Sequence, residues 1–359
     1  MHKLFSLLFS ISLLACSAQQ IVVKSEINAL KKPKNIILFI GDGTGLSQIS
    51  ASQFFNENPS NFDRFPVIGL IKTSASNSLI TDSAAGATAF ASGIKTYNGA
   101  IGVNVDSTAV PTIVEIVSEK GLSTGLVSTS SITHATPACF YAHTKSRGQE
   151  EDIASYLVAS EIDFFAGGGL DFFSHRSDGK DLIRVLENNG FSIDTTSLKM
   201  APANKHGFLL ANGGMPKMLN GRGDFLPNAT QMAIEQLLQN KQGFFLMIEG
   251  AQIDWGGHAN DADYLISELI DFDNAIGIAL DFADQNGETL VIVTADHETG
   301  GFTLANDGGD YNKIKATFST NGHSATMVPV FAKGPGADLF GGIYENTRIY
   351  HKMMELLNR

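Results

Sequence analysis

The sequence predicts an α/β fold: a doubly wound, mostly parallel sheet sandwiched by helices, in a single domain with one small excursion. Two observations carry that expectation. Short apolar runs, continuous rather than alternating, recur along the chain as strands covered on both faces require. Helical patterns stand between them, the order that builds a parallel sheet. The 359 residues are 43% hydrophobic and 17% charged, enough apolar material for a sizeable core and too little charge for a disordered chain.

The strands are read at residues 36–40 (IILFI), 123–128 (STGLVS), 244–248 (FFLMI), 290–294 (LVIVT) and 328–332 (VPVFA). Leu265, Leu269, Phe272, Ile276 and Leu280 step by four, three, four and four, which marks a helix ending near Asn286-Gly287. A second helix is expected over 232–238, entered through Pro227-Asn228-Ala229-Thr230, and a third over 181–189, closed by Gly190. Residues 171–227 are richer in polar and turn residues and read as an excursion from the sheet.

The first 16 residues, MHKLFSLLFSISLLAC, place Lys3 before an apolar run from Leu4 to Leu14. A bilayer-spanning helix needs about 20 apolar residues, so this run reads as the core of an export signal. Leu13-Leu14-Ala15-Cys16 resembles the bacterial lipoprotein box. That resemblance implies a signal peptide over 1–15, an acylated Cys16 and a tether over 16–34 ahead of a folded domain over 35–359, exported and lipid-anchored to a membrane facing the periplasm. Losing Lys3 takes the formal charge from −12 to −13. An acidic balance of that size argues against a nucleic-acid partner. With only Cys16 and Cys139, a disulfide framework and a four-thiolate zinc site are excluded, and Cys139 reads as a small buried hydrophobe.

Three apolar runs end in acids. Residues 36–40 lead into Gly41-Asp42-Gly43, 244–248 into Glu249, and 290–294 into Ala295-Asp296-His297. Carboxyl ends of parallel strands form the ligand crevice of an open α/β sheet, so these groups converge there. Carboxylates gathered at low dielectric must protonate or hold cations. Asp254 and His258 stand at i and i+4 just after Glu249, and His323 shortly precedes the last strand read. Mixed Asp/His sets suit Zn2+, and all-oxygen sets suit Mg2+. Singly, Asp42 is also a turn residue, Asp254 a helix cap and His258 a surface side chain; together they favour metal.

Thr81-Asp82-Ser83 opens a stretch of small residues, which would put the Ser83 hydroxyl at the positive end of a helix. Ser83 there is either a nucleophile activated by a cation or a cap on a closely packed helix. Arg147 has the planar fork that fits two phosphate oxygens, and alone reads equally as a surface arginine. Gly41-Asp42-Gly43-Thr44-Gly45 fails as a nucleotide loop: Leu46 stands where the dinucleotide pattern needs glycine, and no Gly-Lys-Ser/Thr follows.

The segments 34–45 (KNIILFIGDGTG), 80–103 (ITDSAAGATAFASGIKTYNGAIGV), 133–147 (THATPACFYAHTKSR), 243–261 (GFFLMIEGAQIDWGGHAND), 289–301 (TLVIVTADHETGG) and 321–325 (NGHSA) together resemble the alkaline phosphatase family. The resemblance implies hydrolysis of phosphate monoesters through a phosphoserine at Ser83, with two Zn2+ and one Mg2+. It implies Asp254, His258 and His323 for the first zinc, Asp42, Asp296 and His297 for the second, and Asp42, Thr136 and Glu249 for magnesium. Arg147 would clamp phosphate oxygens, inorganic phosphate would be the product, and Asp82 would contact substrate or support the ligands. His134 and Trp255 stand where some members have Asp and Lys, which leaves the magnesium site the least secure. A homodimer is expected, although the segment between His297 and His323 is short where larger members carry an insertion. Ser83 is followed by Ala84-Ala85-Gly86-Ala87, which lacks the proline and arginine of the sulfatase segment. A phosphodiesterase of the same superfamily and a non-catalytic solute-binding lipoprotein remain as alternatives.

Overall fold

The computed structural model describes residues 32–358; the expected leader 1–15, Cys16 and the expected tether up to residue 31 lie outside them. In chain order the strands are β1 (Asn35–Gly41), β2 (Val67–Lys72), β3 (Ser123–Ser131), β4 (Phe164–Gly168), β5 (Phe191–Asp194), β6 (Lys205–Leu209), β7 (Phe244–Gly250), β8 (Thr289–Thr294), β9 (Glu298–Thr299), β10 (Thr303–Asp307), β11 (Asp310–Thr317), β12 (His323–Ser324), β13 (Val328–Lys333) and β14 (Gly342–Glu345). The helices are α1 (Leu46–Phe55), α2 (Ser83–Ser92), α3 (Ile113–Glu119), α4 (Ala135–Ala138), α5 (Glu150–Ala159), α6 (Asp171–Ser174), α7 (Leu182–Asn188), α8 (Phe225–Leu237), α9 (Gln252–His258), α10 (Ala262–Asn286) and α11 (Thr347–Asn358).

Among the described residues, ten strands form one sheet in the order β14-β2-β13-β8-β1-β7-β3-β4-β6-β5. Within it β13 runs antiparallel to both neighbours, and every other pairing is parallel. Successive residues of β1 face opposite sides, and both sides are buried. Ile36, Leu38 and Ile40 pack with Phe90 of α2, Val117 of α3 and Leu157 of α5. Ile37 and Phe39 pack with Leu226 of α8 and Leu269 and Phe272 of α10. Residues 36–40 are fully buried, and burying each such side chain contributes about 1.5–3 kcal/mol. That two-sided burial is why the run is continuous instead of alternating.

Helix α10 follows its sequence pattern closely: Leu265, Leu269, Phe272, Ile276 and Leu280 are all fully buried. Its N-cap Asp261 accepts from the Tyr264 amide at 3.1 Å, and it stops at Gly287, whose φ of 70° is left-handed. Two expectations need correction. Residues 171–227 are not simply an excursion, because β5 and β6 lie within them and complete one edge of the sheet. Helix α8 starts at Phe225, so Pro227 lies inside its first turn, where the missing N–H has no intrahelical partner to lose.

Register sets the site. Ile40 lies opposite Glu249 of β7 on one side and Thr294 of β8 on the other. Asp42 and Asp296 each follow two residues past a paired position, so both leave the sheet at one level, beside Glu249.

Candidate active site

Asp42 turns off β1 into Gly43, whose φ is 72°. A Cβ on Gly43 would stand 2.8 Å from the Asp254 Cα, so glycine lets this turn meet α9 directly. Helix α9 carries Asp254 and His258 one turn apart. Helix α2 begins at Ser83 with Asp82 as its cap, one carboxylate oxygen accepting from the Ala85 amide at 3.0 Å. All ten residues of α2 are buried. A Cβ on Gly86 would lie 2.9 Å from the Asp296 Cβ. The small residues thus allow the Ser83 hydroxyl to reach the metal-ligand candidates.

These elements bring together three groups of ligand atoms: Asp254, His297 and His323; Asp42, Asp296 and His297; and Asp42, His134 and Glu249. His258 joins the first, its Nε2 3.1 Å from His323 Nε2 and 3.4 Å from an Asp254 oxygen. His323 Nε2 lies 3.6 Å from the other Asp254 oxygen. In the second, His297 Nε2 is 3.5 Å from Asp42 and 3.3 Å from Asp296. Ser83 Oγ stands 3.5 Å from Asp42 and 3.4 Å from His297 Nε2. Ligands about 2.0–2.1 Å from a tetrahedral zinc are about 3.3–3.4 Å from one another. The separations of 3.1–3.6 Å in the two groups straddle that spacing, and Ser83 Oγ stands at a like distance from two members of the second.

The imidazole tautomers point the same way. His258 Nδ1 faces the Asn321 carbonyl at 2.7 Å and His323 Nδ1 the Thr81 carbonyl at 2.8 Å. A carbonyl only accepts, so both Nδ1 atoms carry the proton and donate it. His297 Nδ1 lies 3.2 Å from the Thr299 hydroxyl, which itself donates to Asp254. All three rings therefore point Nε2 into the cluster, the second partner fixing each ligand's orientation. Two imidazole Nε2 atoms 3.1 Å apart beside a shared carboxylate have the arrangement of ligands to one cation. Asp42 Oδ2, Asp296 Oδ2, Glu249 Oε1 and Thr136 Oγ1 are buried without a hydrogen-bond partner, which a protein tolerates poorly unless something else satisfies them. The donor set therefore fits cations.

Electrostatics agree. Burial, with the Asp296, Asp254 and Glu249 charges, pushes the Asp42 carboxyl well above its usual range. Burial raises Asp296 and takes Glu249 up to about 7. Burial lowers His297 to about 3, assisted by His323, and lowers His134 to about 3, assisted by Arg147. Histidines that resist protonation and carboxyls that resist ionising alone are complementary to a bound positive charge.

Arg147 stands beside this cluster. One guanidinium nitrogen donates to Asp82 at 3.1 Å and another lies 3.2 Å from His134 Nε2. Asp82 also accepts from the Gly99 amide at 2.9 Å, so a single carboxylate caps α2 and braces the arginine. Trp255 meets the His134 ring edge-on at 5.9 Å. Cys139 is buried and its thiol is pushed up to about 12, first by burial, consistent with an inert core residue. Sequence reasoning missed Ser128 and Ser130, which both donate to Glu249, and Thr299. The only signals for them were the hydroxyl run 128–131 (STSS) and the position of Thr299 two residues after His297.

Such a parallel sheet, with metal-ligand sets, a serine and an arginine at its carboxyl edge, defines a metal-assisted phosphoryl-transfer hydrolase. A family model described as alkaline phosphatase matches residues 33–317. Alkaline phosphatase 3 of Bacillus subtilis (strain 168) is 34% identical over 90% of this chain and 89% of its own length. The alkaline phosphatase of the Antarctic bacterium TAB5 is 57% identical over 92% of this chain and 99% of that one, with a TM-score of 0.90. A variant of that enzyme with one histidine changed to aspartate was solved with Mg bound in its M3 site. The chain belongs to the alkaline phosphatase family. Its activity is metal-dependent hydrolysis of phosphate monoesters.

Proposed function

We propose that Ser83 is the nucleophile and Arg147 the phosphate clamp, with Asp254, His258 and His323 holding one zinc, Asp42, Asp296 and His297 a second, and Asp42, Thr136 and Glu249 a magnesium. The observation that carries this reading is the position of Ser83 Oγ, 3.4–3.5 Å from His297 and Asp42. When bound, the cations supply Lewis-acid stabilisation of the entering and leaving oxygens of an in-line displacement. Arg147, aimed by Asp82, holds two non-bridging oxygens of the phosphate, whose charge dominates phosphoryl transfer. The positive end of α2 favours the deprotonated Ser83 oxygen. In the first displacement the Ser83 Oγ–P bond forms as the ester P–O bond breaks, and the alcohol departs with the proton given up by the Ser83 hydroxyl. In the second, water forms the new P–O bond, the Ser83 Oγ–P bond breaks with a water proton returned to Oγ, and inorganic phosphate leaves. His134, kept neutral, lines the magnesium position, and Trp255 packs against its edge.

Acid-quenched enzyme incubated with inorganic phosphate should carry one phosphate on the peptide that contains Ser83, and Ser83→Ala should carry none. A phosphopeptide elsewhere, or an unlabelled Ser83 in active enzyme, would contradict the assignment. The reading extends to export, with residues 1–15 removed, Cys16 acylated and 16–34 as tether to a periplasm-facing membrane; Cys16→Ser should then abolish lipid labelling. Among the described residues no helix is long and apolar enough to cross a membrane. A homodimer completes the proposal, and sedimentation of the catalytic domain tests it.

A further inference from the structure

Of the ligand candidates, His323 is held by the least local structure. It lies on the two-residue strand β12, beyond the largely exposed β10–β11 hairpin, and among the described residues β12 pairs only with β9, Ser324 opposite Glu298 and His323 opposite Thr299. A ladder of two residue pairs is too short to fix a ligand by itself. The Thr81 carbonyl holds the His323 ring through Nδ1, and Glu298 anchors the strand itself. Its carboxylate is buried, 5% exposed, and three donors converge on it. The Ser324 hydroxyl donates to one oxygen; the Gln48 side chain at 2.8 Å and the Phe302 amide at 3.0 Å donate to the other. Gln48, itself fully buried, also donates to the Thr299 carbonyl at 3.0 Å and accepts from the Gly45 amide at 3.1 Å. One carboxylate therefore ties together the turn that follows Asp42, the turn that carries Asp296 and His297, and the strand that carries His323.

We infer that Glu298, through Ser324, is a positioning residue for His323: it fixes β12 so that His323 Nε2 faces Asp254 and His258. The inference rests on the assignment of His323 as a cation ligand. It adds residues outside the ligand sets, and it makes the first cation site more sensitive to Ser324 than the second. The rim of the site supports this. His258 is 43% exposed at its side chain, so the first site cannot rely on close packing all round, whereas Asp42, Asp296 and His297 are fully buried.

Ser324→Ala removes one hydroxyl from a partly buried position and leaves β9 and its other bonds in place, so it should fold. Glu298→Gln keeps the shape and accepts from Gln48 and Phe302, and its amide can donate to Ser324 Oγ. The test is zinc content and affinity in competition with a chromogenic chelator, together with the melting temperature of each metal-free protein. Loss of a group hydrogen-bonded to a ligand costs about 10–100-fold in metal affinity, and Ser324 acts only through the backbone beside His323, so the low end, about 10-fold, applies. Ser324→Ala should therefore weaken one zinc by about that factor, leave the other unchanged, and melt with the wild type when metal-free; Glu298→Gln should lie between the two. Equal affinity of both zincs in Ser324→Ala and wild type would overturn the inference, as would equal weakening of both sites together with a lowered metal-free melting temperature. Failure of the wild type itself to retain zinc would instead overturn the ligand assignment on which the inference rests.

Discussion

Arg147 shows how one residue's role depends on its neighbours. In the sequence it is one of seven arginines and equally a surface residue; in the fold Asp82 and His134 fix its fork. Arg147→Ala should lower kcat/KM by about 10²–10³-fold, the range for losing a donor to developing charge. Arg147→Lys should recover little of it, because an ammonium cannot span two oxygens; recovery to within a few-fold of wild type would contradict the clamp. A second residue-scale prediction concerns His143, whose ring bridges the Gly102 carbonyl at 2.7 Å and Glu115 at 3.0 Å. Burial lowers its pKa, but the bonds to Glu115 and Gly102 outweigh that and leave it above 6.5. A histidine raised on folding stabilises fully below its unfolded value and loses that contribution as pH rises through the folded one. The pair, with Glu115 43% exposed, contributes about 1 kcal/mol or less. In Glu115→Gln an NMR titration should move the His143 midpoint down; an unchanged midpoint would contradict the pairing. Residue-scale chemistry was legible where side chains abut strand ends, as for Asp42, Glu249 and Asp296. It was not legible for Ser128, Thr299 or Glu298, whose partners are distant in sequence and whose residue types carry no signal of their own.

At the scale of elements, α2 is the most constrained. It is built of small residues because its first turn must lie against the loop that carries Asp296, and Gly86 is the contact point. Gly86→Val should cost about 1–3 kcal/mol through overpacking and displace Asp296, weakening the second cation site more than the first. Denaturant unfolding and zinc affinity measure the two effects, and wild-type values of both would show that α2 has room to spare. The central strands β1, β7 and β8 were readable because both faces are buried, which leaves an uninterrupted apolar run. Strands β5 and β6 were not: FSID and KHGFL are short, lie at or next to the sheet edge and carry polar residues, and they are defined only by the pairing of β6 with β4 and of β5 with β6. Pro227 misplaced the start of α8 because a proline before a helix and one in its first turn look alike in sequence.

On the scale of the whole molecule, the sheet serves to deliver several carboxylates to one level at which they cannot all ionise alone. Asp42, Glu249 and Asp296 are buried and raised in pKa, so the arrangement stores unfavourable charge that cations relieve. Any cation bound only to the folded state stabilises it, by about 2.7 kcal/mol when present at 100 times its Kd, and a melting temperature unaffected by chelation would contradict that coupling. Net charge is no guide here: the chain is strongly acidic, yet the field that meets the substrate is local and is inverted by bound metal. The central claim is that this cluster is the catalytic site and works only with metal. Its most direct test is 4-nitrophenyl phosphate hydrolysis by the purified mature chain before chelation, after chelation, and after Zn2+ and Mg2+ are restored. Activity should disappear with the metal and return with it. A folded protein with zinc confirmed bound and no phosphomonoesterase activity, or one whose activity survives complete metal removal, would contradict the account.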